Sequence, residues 1–512
     1  MTQITGAPIT RIERIGLIAA LALSAALMWP LRGYLTDDTF IHLQYARNLS
    51  QGHGLVFNVG ERVYGSTSPL WSSLIAAGMT LGLDGLTVAR VMGAACTLLS
   101  VALFHRLMRR TIATPALVAL GTLTWAGHAW MARWSVSGME TPLAVALTLG
   151  GFVAAVGDGR GRARFVAAGV LWALGALARP EAALLLALAA AWHVVAVARG
   201  RAPRVALLAT LPGLAIYGAW LLVAWRYFGA AWPETLSAKT AGGGGLAAWA
   251  VSLGRQGAIA GATDGVLGLV LVAGLLFTRR VEPPHPARLL SWSWVVLLPA
   301  LYAFRGVQVL SRYLLVILPV LEWLAWQVAE RWWLGGAGDA ERRRAIRWST
   351  VVAALALIQN LGVHRFAVMP QVTSFTAGLE RSLIPWGTWF SSHAPVDASI
   401  ATPDIGAIGY FSRRRVLDLG GLVTPPMIPL LEREPLEEMV AELRFASFAR
   451  PLFVVDRGAR PLDLKHRSRY GACLEPLGAA SVPNLGIARP GRVVYTFYRV
   501  NWEKYERITS VR

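Results

Sequence analysis

Residues 14–38 read RIGLIAALALSAALMWPLRGYLTDD. This is an apolar run of bilayer-crossing length, closed by Trp and Arg, with two adjacent carboxylic acids behind it. Arg11 and Arg14 ahead of the run also give it the outline of a secretory leader. Trp29-Pro30-Leu31-Arg32 lacks the small residues of a cleavage site, so we read 15–31 as a retained first span. Similar apolar stretches follow near 69–83, 86–107, 113–131, 141–156, 165–178, 181–198, 205–226, 259–278, 289–304, 313–329 and 348–363. The chain reads as an integral membrane protein.

Composition agrees. Of 512 residues, 55% are hydrophobic and only 15% charged, whereas soluble domains carry about a quarter charged residues. The mean hydropathy is +0.48. Lys and Arg number 49 against 29 Asp and Glu, a net charge of +20. A basic disordered tail would be poor in aromatics, and 21 Trp exclude it. Nucleic acid as a partner would need a basic face on a soluble fold, but here most basic residues punctuate apolar runs. Nearly all are Arg; the lysines are Lys239, Lys465 and Lys504. Cys96 lies in an apolar stretch and Cys473 near the C-terminus, so neither a disulfide between them nor a metal-ligand spacing is expected.

The segment 69–83 decides the topology. If it crossed the bilayer, the loops with Arg160, Arg162 and Arg164, and with Arg199, Arg201 and Arg204, would face outward, against the positive-inside rule. It is short, starts at Pro69 and contains Ser72 and Ser73, as an interfacial helix can. The expectation is therefore an all-α polytopic membrane domain, 1–363, with about eleven transmembrane helices and a cytoplasmic N-terminus. Residues 364–512 change character. β-like runs at 398–401, 415–419 and 452–455, a helix over 435–446, and further strands around Ile487 and 493–498 predict an external α/β domain.

With that topology the external loops hold the chemically varied residues. Asp37 and Asp38 open the first loop, before a stretch with apolar residues at 40, 43, 46 and 49. One Asp could be the N-cap of that helix, but a cap needs only one, and adjacent carboxylates repel. Arg179 and Arg312 fall at external span ends, where phosphate binding and snorkelling are both open readings. Lys239 stands alone in a loop of a chain that avoids Lys. Glu322, inside a span, reads as structural, paired with a polar neighbour or protonated. The glycines at 242–245 read as a mobile loop or a simple linker. His285, His393 and His466 are scattered and form no metal set.

The whole stretch 37–71, DDTFIHLQYARNLSQGHGLVFNVGERVYGSTSPLW, resembles the first-loop signature of GT-C glycosyltransferases that use lipid-phosphosugars. The variant it is most similar to is that of mycobacterial-type terminal arabinofuranosyltransferases. Ser137-Gly138-Met139-Glu140-Thr141-Pro142, Arg179-Pro180-Glu181, Tyr227-Phe228-Gly229, Pro233-Glu234-Thr235, Ala238-Lys239-Thr240 and Arg312-Tyr313 follow in the same order. Glu234 stands where those relatives favour Asn, and the tail is short for that group.

The resemblance implies a GT-C-like fold and transfer of a sugar, arabinofuranose or another pentose or hexose, from a polyprenyl-phosphate donor to an envelope glycan, lipid or protein. An acceptor hydroxyl needs a general base, and the resemblance gives that role to one acid of the pair, Asp38 for preference, with Asp37 orienting the acceptor. Lys239, Arg312, Arg179 and Arg90 would bind the donor phosphate. Glu140, Tyr64, Glu234 and Tyr313 would position acceptor or substrate. A divalent metal at the acidic pair is chemically compatible, though a monophosphate leaving group does not require a cofactor. Pro403-Asp404-Ile405-Gly406 and Asp418-Leu419-Gly420-Gly421-Leu422 are expected as fold determinants that help hold the acceptor. The expected location is the bacterial cytoplasmic membrane, with active site and tail outside. A transporter or flippase of lipid-linked sugars is the competing class, but the repeats and midplane polar sites of transporters are not evident.

Overall fold

The computed structural model describes residues 8–156, 162–200, 205–233, 245–277, 286–334, 338–483 and 491–510. Lys239, Glu234, the glycines at 242–244, His285 and the strand expected around Ile487 lie outside them. Each of the twelve apolar stretches is mostly helical over its described residues. Among the described residues, five stretches are long and apolar enough to cross a membrane: Arg11–Leu31, Gly85–Thr111, Leu208–Phe228, Leu246–Phe277 and Asp339–His393. Pro115–Ala126, Thr141–Ala155, Ala182–Ala198 and Leu289–Phe304 are shorter apolar helices. This is a multi-pass membrane protein with an α/β domain in its tail. Helix Pro69–Thr80, at about 1.5 Å per residue, reaches only about 18 Å, well short of a hydrocarbon core of about 30 Å.

The chain forms two compact units. The first comprises Met1–Arg32, Ala89–Trp220 and Gly244–Met369, and holds most of the apolar helices. Its helices meet through small residues, as expected where apolar lipid gives little drive for association. A Cβ on Gly16 would lie 2.6 Å from that of Ala119, and one on Gly213 would lie 2.4 Å from the Gly169 carbonyl oxygen. The apolar stretch 113–131 is interrupted. Helix Pro115–Ala126 stops at Gly127, and His128 caps a new helix, Ala129–Ser135, by accepting from the Met131 N–H.

The second unit groups the tail, Pro370–Arg512, with Gly33–Val88 and Leu221–Gly243. The boundary expected after residue 363 falls where helix Asp339–Val363 runs on through a π-turn, His364–Val368, into helix Met369–Arg381. The tail carries a five-stranded sheet of β1 (Ser399–Thr402), β2 (Arg415–Asp418), β3 (Phe453–Gly458), β4 (Leu474–Val482) and β5 (Val493–Val500), in the order β2-β1-β3-β5-β4. β1 pairs in parallel with β2 and β3, placing Ile400 beside Val416 and Phe453, while β5 runs antiparallel to β3 and β4. Burial explains the short strands: Ile400, Ala401, Val454, Val455 and Phe497 are completely covered. Trp386, on helix Leu383–His393, stacks on Phe497 with centroids 4.0 Å apart.

Two expectations for the tail need correction. The helix predicted over 435–446 stops at Ala441, because Leu443 adopts a left-handed conformation (φ 48°) before a 3-10 turn, Arg444–Ser447. β4 was missed. Pro476 and Gly478 interrupt its pattern, and its register shifts between them, so its strand character comes from pairing with β5.

Candidate active site

In the second unit, the helix after the first apolar run is Asp37–Ser50. Its N-cap is neither aspartate. Thr36 is extended (φ −125°, ψ 152°), and its hydroxyl accepts from the Thr39 N–H at 3.2 Å. The reading of an aspartate as the cap is thereby corrected: both carboxylates sit in the first turn, where the helix dipole favours negative charge.

Asp37 has other partners. Its Oδ2 accepts from the Gly406 N–H at 2.9 Å and its Oδ1 from the Ala407 N–H at 2.8 Å. These donors open helix Gly406–Ser412, which leaves β1 through Pro403-Asp404-Ile405. A side chain at Gly406 would put its Cβ 1.9 Å from the Asp37 carbonyl oxygen. The glycine of this signature is thus required by close approach. Phe40 packs edge-on to Phe411 at 5.0 Å, and Arg47 donates to the Tyr410 carbonyl at 2.7 Å. Burial and the Asp404 carboxylate push the half-buried Asp37 carboxyl up to about 7, against the opposing effect of the two N–H donors.

Asp404, just beyond the carboxyl end of β1, takes both its oxygens to Arg457 Nη1 at 2.9 Å and accepts from the Tyr495 hydroxyl at 2.7 Å. Asp418, at the end of β2, accepts from the Gly420 N–H at 2.8 Å and the Val423 N–H at 3.0 Å. Burial holds its carboxyl up at about 6 despite those donors. Gly421, at φ +81°, completes the turn. The parallel strands therefore gather acids at one end, where open α/β sheets characteristically place functional groups. Arg457 and Tyr495 were not singled out in the sequence, since neither lies in a recognisable string.

The rest of the first loop is tied to this unit by side-chain amides. Asn58 brackets β2, donating to the Val416 carbonyl and accepting from its N–H, both at 2.9 Å. Asn48 donates to the carbonyls of Val56 and Phe57. Tyr64 is buried and stacks on Phe228 at 4.7 Å with the rings 6° from parallel.

In the first unit, three of the motifs distant in sequence converge. Glu140 precedes helix Thr141–Ala155, and its Oε1 accepts from Arg179 Nη1 at 2.6 Å. Arg179 also meets Glu181 at 2.5 Å, and Glu181 accepts from the Tyr302 hydroxyl at 3.0 Å. The Arg179 guanidinium lies 4.9 Å from the Tyr313 ring. Arg312 is 5.5 Å from the Tyr313 ring and 5.4 Å from that of Trp134, with Nη1 3.8 Å from the Met139 sulfur. Trp134 in turn donates to the Ser311 hydroxyl at 2.9 Å. Arg90 is half-buried in helix Gly85–Thr111. That helix meets the segment before Glu140 closely, a Cβ at Gly93 falling 2.3 Å from the Ser135 carbonyl oxygen.

Glu322 is buried, as read, and accepts from the Thr124 hydroxyl at 2.8 Å. The scattered histidines expected to form no metal set did not include His128, whose neighbours belong to the core of this unit.

Comparison with known proteins sets these findings in a family context. A family profile described as a domain of unknown function (DUF8728) matches residues 376–506. A terminal beta-(1->2)-arabinofuranosyltransferase of Mycobacterium tuberculosis is 32% identical over 231 residues, a stretch that spans 41% of this chain and 36% of that protein. ArnT from Cupriavidus metallidurans, solved bound to undecaprenyl phosphate, superposes over 94% of this chain and 97% of its own with a TM-score of 0.53 at 13% identity. The archaeal oligosaccharyltransferase AglB from Archaeoglobus fulgidus, in complex with an inhibitory peptide and a dolichol-phosphate, covers 87% of this chain and 70% of its own, with a TM-score of 0.59 at 12% identity. Mycobacterial arabinofuranosyltransferase AftD covers 94% of this chain and 41% of its own, with a TM-score of 0.55 at 18% identity. The chain has the GT-C fold shared by these neighbours, as its first-loop signature implied.

Proposed function

We propose that this GT-C-fold chain is an inverting glycosyltransferase that moves a sugar from a polyprenyl-phosphate donor to a hydroxyl of an envelope acceptor, with Asp38 as general base. The observation that carries the assignment is the engagement of both Asp37 oxygens by Gly406 and Ala407. We assign Asp37 to anchoring the first loop on the tail, and the proton-accepting role to Asp38, the acid of the pair that the first-loop resemblance favours. In the reaction, Asp38 takes the hydroxyl proton as the acceptor oxygen bonds to the anomeric carbon. The bond from that carbon to the phosphate oxygen breaks, its electron pair leaves with polyprenyl phosphate, and the configuration inverts.

The leaving phosphate needs cations. Arg312, flanked by two aromatic rings, is assigned this role with Arg90 and Lys239, since the guanidinium fork matches phosphate oxygens and the ammonium supplies a point charge. Arg179, held by Glu140 and Glu181, becomes a positioning residue. It fixes Tyr313 and the Glu140 turn, which takes Glu140 away from direct acceptor binding. Tyr64, Tyr313 and Glu234 remain assigned to substrate positioning. A divalent ion at the acidic pair would have to share Asp37 with two N–H donors, and no step is routed through one.

Arabinofuranose is the sugar favoured by the mycobacterial relative. The Arg-rich loops support an orientation with acids and tail outside, and we assign the chain to a bacterial cytoplasmic membrane. Asp38→Asn tests the assignment. Transfer from a polyprenyl-phosphate sugar to acceptor should fall by about 100- to 10,000-fold, the range typical of a general base, with donor binding kept; an enzyme that retains near-full turnover refutes it.

A further inference from the structure

We propose that His128, Asp264 and Glu322 form a binding site for a divalent transition-metal cation in the core of the membrane unit. The three side chains come from the His128 cap, helix Leu246–Phe277 and helix Leu318–Leu334, and their ligand atoms all lie within 4.8 Å of one another. His128 is fully buried, Glu322 is 1% exposed and Asp264 3%. His128 Nε2 stands 3.1 Å from Asp264 Oδ2, which also accepts from the Thr263 hydroxyl at 2.7 Å. Among the described residues, Asp264 Oδ1 has no hydrogen-bond donor, though it is buried. A buried carboxylate oxygen without a donor is costly and calls for a further partner.

Charge sharpens the case. Among the described residues no Lys or Arg pairs with Asp264 or Glu322. With a neutral imidazole and two carboxylates the cluster carries about −2 in a medium where one unpaired charge is already expensive. A divalent cation held by these three ligands would cancel that charge. One imidazole with two carboxylates suits Zn²⁺ or Mn²⁺. Ligand atoms of one such ion sit roughly 3.0–4.4 Å apart, so the widest separation here needs to close by a few tenths of an ångström. The ion would replace the His128–Asp264 hydrogen bond. It would also move the ring proton to Nδ1, giving up the Met131 N–H contact of 3.3 Å.

The test uses the full-length protein in detergent, stripped with a chelator and reloaded with Zn²⁺ alone. Mass spectrometric metal analysis should find one retained ion per chain. Glu322→Gln and Asp264→Asn should each lose the ion, while Asp38→Asn, in the other unit, should keep it. Failure of the wild type to retain Zn²⁺ at about pH 8, or equal retention in all variants, overturns the site. Loss of the ion in Asp38→Asn alone would do the same. Should the core variants not fold, X-ray absorption of the Zn²⁺-loaded wild type decides: one imidazole nitrogen with carboxylate oxygens supports the site, and a shell without imidazole refutes it.

Discussion

Asp37 shows how a side chain's partners select its role. Two adjacent acids in the first turn of a helix could share any task, and sequence spacing treats them alike. The backbone N–H groups of Gly406 and Ala407 engage both oxygens of Asp37, and the proposed division of roles builds on that contact. The same site raises the Asp37 carboxyl to about 7, mainly by burial and then by the nearby Asp404 charge. A raised acid favours the folded state when protonated. Its stabilising contribution is therefore full below its ordinary range and is lost as pH rises through about 7. Thermal melting across about pH 4 to 7 should show wild-type stability falling relative to that of Asp37→Asn; parallel curves would mean that Asp37 titrates normally.

At the level of elements, helix Gly406–Ser412 links the loop acids to the sheet. It starts where β1 ends, and its contact with Asp37 is possible because residue 406 has no side chain. Gly406→Ala should force the segments apart. We expect a loss of about 1–3 kcal/mol, typical of overpacking, seen as a lower melting temperature and faster proteolysis of the tail, together with reduced transfer activity. An unchanged melting temperature would mean that the contact is not formed in solution. This coupling was only half legible beforehand. Pro403-Asp404-Ile405-Gly406 stood out as a string, but nothing in 399–406 names Asp37 as its partner. The strands at 399–402, 415–418 and 493–500 were legible because burial demands apolar runs. β4 was not, since its bulge breaks the alternation that marks a strand.

Across the whole molecule, the topology we propose rests on the arginine distribution read with the positive-inside rule. Helix Pro69–Thr80, at about 18 Å, falls short of a hydrocarbon core of about 30 Å, which supports the proposal that the Arg-rich loops share one side. Ser73 is exposed on this helix while Ala76 is buried. A single cysteine at Ser73, with Cys96 and Cys473 replaced, should react with membrane-impermeant reagent from outside intact cells. Reaction only after permeabilisation would reverse the orientation. The converged cluster of Glu140, Arg179, Glu181, Tyr302 and Tyr313 belongs to this scale too, because its members come from four separated segments.

The sequence by itself determined the class of the molecule, its helices, the α/β character of its tail and the residues from which a site is drawn. Those follow from hydropathy, charge placement and local motif, which act along the chain. Tertiary structure decided which groups meet: Thr36 with the Thr39 N–H, Asp37 with the Gly406 and Ala407 N–H groups, Arg179 with two carboxylates, and His128 with Asp264. Each depends on which donors, acceptors and charges arrive from elsewhere in the chain, and burial makes an unmatched group too costly for the assignment to be arbitrary.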